Sequence, residues 1–447
     1  MNRTLNNPKL LEYPLYNLAL RLAFDWSYHP LARASVSPVL LSLAYVLKPR
    51  NFCKSFNLLC TAHRLVKKGF WAQRATAIIS SWLSEWHRQC IERMEDRQMP
   101  EDRVRRLRVR SLVLKPPIGS SSDVVKKEKG VLLVKGEIEP LICLCTVGRL
   151  LQNYWLVLEP GSAGYALANI LYFTAFPDFP VVVMAPAVED RIFLRDLNRN
   201  LVPTSIGASD WVNPEVFRPL PDTPKIYDAV MVSYWGRVKR HHVLFKALRK
   251  LRDESYKVAL VGIPWDEGTL SQVENLANWY GVRHQITFFE KLRPEEVNMV
   301  LNQSKVNLLL SLKEGANKTL FEGMFAGVPA ILLENNIGVN KEHIVEGRTG
   351  RLVKERELPE ALLWFREHYR EFSPREWAMH NISPPVTAAK LNDLLQKLAH
   401  QRGEPWTRDI VAKTNCPEPM YYPDASVAEG FPTIDDILQQ YGRCKHD

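Results

Sequence analysis

None of the seven cysteines (Cys53, Cys60, Cys90, Cys143, Cys145, Cys416, Cys444) falls in a paired CxxC spacing, which excludes a zinc finger or ribbon. Their odd number and scatter offer no disulfide framework, and a reducing compartment is the simplest expectation. Cys143 and Cys145 sit in the apolar run Leu141–Cys145 and read as small buried hydrophobes. Long apolar runs are missing as well. The most apolar early stretch, Val36–Leu47, is about a dozen residues, short of the roughly 20 that cross a bilayer. Met1–Tyr13 is polar and has no apolar segment before a small-residue cleavage site, so no secretory signal is expected. Glycine (21) and proline (30) form no tracts in the 447 residues, which excludes collagen-like and low-complexity chains. What remains is a folded cytoplasmic protein, soluble or peripheral on the cytoplasmic membrane face.

Charge of one sign is concentrated. Residues 1–130 hold 23 Lys and Arg against 10 Asp and Glu, whereas the rest of the chain holds 36 against 39. All of the net +10 therefore belongs to the first third, which points to an anionic neighbour. An anionic membrane surface against residues 1–130 is the favoured partner. Nucleic acid is set aside, because that third carries no recognisable DNA- or RNA-binding motif.

Texture divides the chain into 1–108, a helical basic region; 109–210, a reduced first Rossmann-like domain on the acceptor side; 211–221, a proline-punctuated hinge; 222–400, a second Rossmann-like domain; and 401–447, an extension. In the first region Trp71, Ile78, Ile79, Trp82, Trp86, Cys90 and Met94 recur at helical spacing and predict one long helix. Leu15–Trp26 and Val39–Leu47 are shorter apolar segments that either pack on it or lie in a bilayer interface. Short apolar runs at Leu112–Leu114, Val131–Val134, Trp155–Leu158 and Val181–Met184 have the character of strands buried on both faces of a parallel sheet. From Ile226 the alternation of strand and helix is regular: strands at Ile226–Tyr234, Val258–Ile263, Ile286–Phe289, Val306–Leu310 and Ala330–Leu333, with helices between them. This predicts an α/β fold of two Rossmann-like doubly wound domains facing a cleft, with an extra helical N-terminal region.

The densest chemistry lies in Lys313-Glu314-Gly315-Ala316-Asn317-Lys318-Thr319-Leu320-Phe321-Glu322, where seven residues separate the two glutamates. A loop at the carboxyl end of a strand, leading into a helix N-terminus, presents free N–H groups to an anionic or polyhydroxyl ligand. Thr319 is placed to cap that helix. The stretch resembles the E-x7-E motif of retaining glycosyltransferases with the GT-B fold, the group 1 or family 4-like glycosyltransferases. Asp210–Pro219 resembles that family's hinge, Lys239-Arg240-His241-His242 its donor-phosphate turn, and Gly338–Val353 its glycine-rich loop and the segment after it.

The resemblance implies an enzyme, a hexosyltransferase-like glycosyltransferase moving a sugar from a nucleotide-sugar donor to an acceptor. It implies retention of configuration, no metal, and no cofactor besides the UDP- or GDP-linked co-substrate. Glu314 and Lys239 would be the catalytic pair, with Glu322 on the donor ribose. Arg237, Arg240 and Lys318 would assist at the phosphates, and Gly315, Ala316, Asn317 and Thr319 at the sugar. Positioned cations absorb the charge that develops on a departing nucleoside diphosphate. Two departures stand out: Tyr234 occupies the place of the family's arginine, and no histidine lies between His87 and His241 to contact the sugar. They favour the alternative of a catalytically inactive GT-B protein that recognises a glycan, lipid or protein. A nucleotide-sugar epimerase is a further enzyme reading. Donor base, acceptor, linkage and oligomeric state stay open.

Overall fold

The computed structural model describes residues 12–119, 127–161, 163–265, 268–315, 317–415 and 420–443. Of the candidate residues, Ala316 lies outside them, as do Cys416 and Cys444. The chain forms two compact units, each assembled from two stretches: Pro30–Trp211 with Pro384–Asp447, and Met1–His29 with Val212–Ser383. This division replaces the expected breaks at 108 and 400. The first helix leaves the N-terminal region for the second unit, and the stretch from Pro384 onward joins the first.

Helices come first along the chain: α1 (Pro14–Ser27), α2 (Pro30–Leu47), α3 (Phe52–Val66), α4 (Phe70–Glu95) and α5 (Glu101–Val109). The stripe expected on the long helix is the buried face of α4. Ala75, Ile79, Leu83, Trp86 and Cys90 point into the core, and Trp82 meets the rings of Phe52 and Tyr45. Asn51 caps α3 by accepting a hydrogen bond from the Lys54 N–H at 3.0 Å. Two expectations need correction. Cys53 of α3 and Cys90 of α4 form a disulfide, 6.1 Å apart at Cα, because antiparallel packing brings together residues 37 apart in sequence. The apolar stretch at 36–47 is part of an 18-residue helix, since α2 runs through Pro38; by length and composition it can cross a membrane.

The first sheet has the order β1 (Ser111–Lys115), β2 (Gly130–Lys135), β3 (Tyr154–Glu159), β4 (Val181–Met184), β5 (Leu201–Thr204). All neighbours are parallel except β1, which pairs antiparallel with β2. Strand β5 was not anticipated, because Pro203 weakens its signal; at the sheet edge the missing N–H costs no ladder bond. Between the strands run α6 (Ile138–Leu144), α7 (Val147–Asn153), the one-turn α8 (Ala168–Leu171) and α9 (Val188–Asp196).

Period-2 alternation sorts the strand residues onto two faces. Leu132, Val134, Leu156, Leu158, Val181 and Val183 join the core beneath the N-terminal helices. Val131, Leu133, Trp155, Val157 and Val182 join a second core with Leu391, Leu395 and Ala399. Each such buried side chain contributes about 1.5–3 kcal/mol before entropy is counted.

In the second unit β6 (Tyr227–Val232), α10 (His241–Lys250), β7 (Val258–Gly262), α11 (Leu270–Tyr280), β8 (Ile286–Glu290), α12 (Pro294–Asn302), β9 (Ser304–Leu309), α13 (Thr319–Phe325), β10 (Ala330–Leu333) and β11 (Gly350–Val353) follow one another. The sheet is wholly parallel, ordered β11-β10-β9-β6-β7-β8. Helices α14 (Leu358–His368) and α15 (Pro374–Ile382) complete it. The expected strands and helices of this block agree with those formed to within a few residues, and β11 adds a strand inside the glycine-rich segment.

Helix α16 (Pro384–Gln401) supplies Leu391, Leu395 and Ala399 to the first unit. Beyond it Tyr422 Oη donates to the Val113 carbonyl at 2.8 Å, and Lys115 Nζ stands 3.2 Å from the Trp406 ring centroid. Helix α17 (Ile434–Tyr441) closes this run with Tyr441 against Tyr154. Ile410, Met420, Ile434, Ile437 and Tyr441 are thus core residues of the first unit.

Candidate active site

The site is built on the second unit at the carboxyl ends of β6 and β9. Strand β9 delivers the chain into the loop 310–318, where the Glu314 N–H donates to the Ile337 carbonyl at 2.8 Å. Strand β6 delivers it into the turn 233–240. Lys239 Nζ donates to Glu314 Oε1 at 2.6 Å, and both side chains are more than nine-tenths buried. The two residues expected to form the catalytic pair, 75 positions apart, are therefore in direct contact. Tyr234, which stands where an arginine was expected, lies with its ring 4.7 Å from Lys239 Nζ, a cation–π contact.

The motif helix α13 is held on β9 by a local hydrogen bond and a close approach. Asn307 Nδ2 donates to the Thr319 carbonyl at 2.8 Å. A Cβ on Gly323 would come within 2.5 Å of that same Nδ2, so the glycine permits the contact. Capping differs from expectation: Asn317, not Thr319, accepts from the Leu320 N–H, at 3.0 Å. Thr319 is already the first helical residue, one position too late to cap.

Glu322 lies within α13, 8% exposed, and no hydrogen bond from a described residue reaches its carboxylate. Burial raises its pKa, against a smaller opposing effect of Lys318. A buried carboxyl group without a partner is costly unless a ligand supplies one.

Arg240, expected to assist at the donor phosphates, is engaged by partners within the protein. Its backbone is left-handed (φ 56°), and its guanidinium forms two hydrogen bonds to Asp25 of α1, at 2.9 and 2.8 Å. It also reaches Glu355 at 2.7 Å and the Leu310 carbonyl at 3.3 Å. That donor fork is spent on structure. His242 shares a hydrogen bond with Asp25 at 3.0 Å, and fully buried His241 shares one with Ser233 at 3.2 Å.

Burial pushes Asp25 up, but its bonds to His242 and Arg240 outweigh this and hold it below the usual carboxylate range. Burial lowers the pKa of both histidines, His241 far below 6.5. Arg237 is half-buried and close enough to add to the burial that lowers Arg21, to about 10. Among the described residues no three His, Cys, Asp or Glu side chains converge in a group that could hold a metal.

Lys239, Glu314, Glu322, Asn317, Lys318 and Thr319 thus share one end of the sheet, with Gly315 between them in sequence, and Arg240 lies there with its guanidinium engaged by Asp25, Glu355 and the Leu310 carbonyl. Sequence reasoning missed Asp25 and Glu355, which decide where Arg240 points. No local signal could reveal a partner 215 residues distant.

Residues 215–365 match the family model described as "Glycosyl transferases group 1". No curated protein matches the chain. Among solved structures it is similar to sucrose-phosphate synthase from Thermosynechococcus elongatus, with 18% identity over 61% of this chain and 74% of that one and a TM-score of 0.49. It is similar to HepE of Anabaena in complex with UDP, with 12% identity, 59% and 78% coverage and a TM-score of 0.47. The pneumococcal O-GlcNAc transferase GtfA in complex with UDP and GlcNAc follows at 16% identity, 57% coverage of this chain and a TM-score of 0.43; the chain covers 54% of that protein. The stretch matched by the group 1 glycosyltransferase model, residues 215–365, lies within the second of the two α/β units.

Proposed function

We propose that the protein transfers a sugar from a UDP- or GDP-linked donor to an acceptor, with retention of configuration and without a metal or other cofactor. The observation that carries this reading is the buried Lys239–Glu314 pair, together with Glu322 of the following helix, a buried carboxyl group with no hydrogen-bond partner among the described residues. In the proposed complex a donor diphosphate takes Lys239 from Glu314 and neutralises it, as a leaving nucleoside diphosphate requires. The released Glu314 then accepts hydrogen bonds from sugar hydroxyls. Glu322 accepts from the ribose, which supplies the partner its carboxylate lacks. Arg237 and Lys318 add positive charge at the phosphates, and the backbone of Gly315, Ala316 and Asn317 lines the sugar. Arg240 acts in this reading only by holding the turn that carries Lys239.

The test is calorimetric titration with UDP, GDP and ADP, using Glu322→Ala and Lys239→Ala as controls. Selective binding of one nucleotide, weakened by both substitutions, supports the reading; no binding to any of the three sinks it. A role in binding without turnover is the second reading, favoured by Tyr234 over Lys239 and by the capture of Arg240. It predicts nucleotide binding with no sugar released or transferred. Besides the donor, the partner we propose is an anionic membrane surface against the basic first third, at the cytoplasmic face.

A further inference from the structure

We propose that helix α2 is the membrane-docking element of the first unit and lies in the plane of an anionic bilayer without crossing it. The inference rests on the proposed membrane partner and gives that partner a definite contact.

Only Ser37, Leu41 and Ala44 of its 18 residues are buried. The outward side is apolar: Leu31 is 73% exposed, Val39 57% and Val46 60%, and Val36, Leu43 and Tyr45 are exposed as well. A helix that turns its greasier side outward has no use for water there. Phe70, 70% exposed, and Trp71 add aromatic surface at the start of α4.

Charge identifies the occupant. From residue 26 to residue 84 the chain has no Asp or Glu at all, while it carries eight Lys and Arg. Arg33 lies near one end of α2, and Lys48, ion-paired with Glu85 at 3.1 Å, and Arg50 follow the other. Arg50, Lys54, Lys68 and Arg74 are exposed. An apolar helix among cations, with no carboxylate in 59 consecutive positions, complements anionic lipid headgroups, each nearby cation adding to the attraction.

Length alone would allow the helix to span, since 18 residues rise about 27 Å against a hydrocarbon core of about 30 Å. Its inner side argues otherwise. Ser37 Oγ donates to the Ala62 carbonyl at 3.1 Å, and Ser55 Oγ donates to the Ala44 carbonyl. These bonds tie α2, at its middle and near its C-terminal end, to α3. Crossing would drag Lys54 and Arg64 of α3 into hydrocarbon or break the pair.

The experiment is co-sedimentation of the full chain with phosphatidylcholine vesicles, with and without about 30% phosphatidylserine, at two salt concentrations. We expect at least tenfold stronger partition onto the anionic vesicles, weakened by salt and released by an alkaline carbonate wash. Val39→Glu and Val46→Glu, both at exposed positions, should each lower that partition about tenfold. Thermal unfolding and nucleotide titration should stay at their wild-type values, which separates docking from folding and from the donor site.

Wild-type protein that ignores anionic vesicles overturns the membrane partner itself. Strong partition untouched by both substitutions overturns the role of α2 and leaves the partner standing. Resistance to carbonate shows a spanning helix, and a dimer that Val39→Glu abolishes shows a second copy on this face; either result overturns the proposal.

Discussion

Glu322 and Lys239 show how a buried charge that no described residue hydrogen-bonds differs from one held in an ion pair. Glu322 is buried, its pKa is raised by burial, and no described residue hydrogen-bonds it, so its presence is a cost to the empty protein. Glu322→Gln should weaken nucleotide binding at least tenfold, about 1.4 kcal/mol, while leaving the melting temperature equal or higher. Paired calorimetry and thermal unfolding check both halves; a lower melting temperature would make Glu322 a structural residue. Lys239 behaves oppositely, because Glu314 depends on it at 2.6 Å. Lys239→Met should abolish nucleotide binding and also destabilise the unit by about 3–5 kcal/mol, since it leaves a buried carboxylate alone. Double substitution with Glu314→Leu should recover much of that stability and none of the binding, as urea unfolding and titration would show. Letters alone could nominate both glutamates and the lysine, because loop position and spacing are local. They could not rank Arg240 below Lys239, since that depends on which carboxylates fold against it.

At the scale of elements, α1 is the unexpected part of the second unit. Its Leu18 packs on the core of that unit, Asn17 Nδ2 donates to the Gln272 carbonyl, and Arg21 Nη2 donates to the Trp235 carbonyl. Asp25 at its far end takes Arg240 and His242. The turn carrying Lys239 is thereby clamped by a helix more than 200 residues earlier in the chain. Asp25→Ala should cost about 3 kcal/mol, because it leaves Arg240 with Glu355 as its remaining carboxylate partner. Nucleotide affinity should fall several-fold with it, as the left-handed turn at Arg240 loosens; urea unfolding followed by titration at fixed folded fraction measures each effect.

Across the whole molecule, buried neutral histidines set the acid limit of stability. His241 and His242 in the second unit and His63 in the first, whose burial lowers its pKa to about 3, all have folded-state values below the ordinary 6.5. Below that ordinary value the unfolded chain binds protons that the folded chain does not, so stability falls as the pH drops. Each group contributes up to about 1.4 kcal/mol per pH unit until its own folded pKa is reached. Asp25 acts in the same direction at lower pH, its contribution present above the unfolded value and lost as the pH falls through the folded one. Chemical unfolding between about pH 7 and pH 5 should show a decline that His241→Asn makes shallower; a flat profile in the wild type would contradict the burial of these rings.

The α/β class, the run of strands and helices from β6 to α14, and the glutamate-bearing loop before α13 are legible in the order of amino acids alone. Hydrophobic periodicity, glycine and motif spacing act over a few residues, and so they are legible without a fold. Long-range packing alone places α1 in the second unit, returns the residues after 383 to the first, brings Cys53 to Cys90, and sets Asp25 against Arg240. These outcomes join residues tens to hundreds of positions apart, where burial and charge pairing choose the partner and no local pattern records the choice.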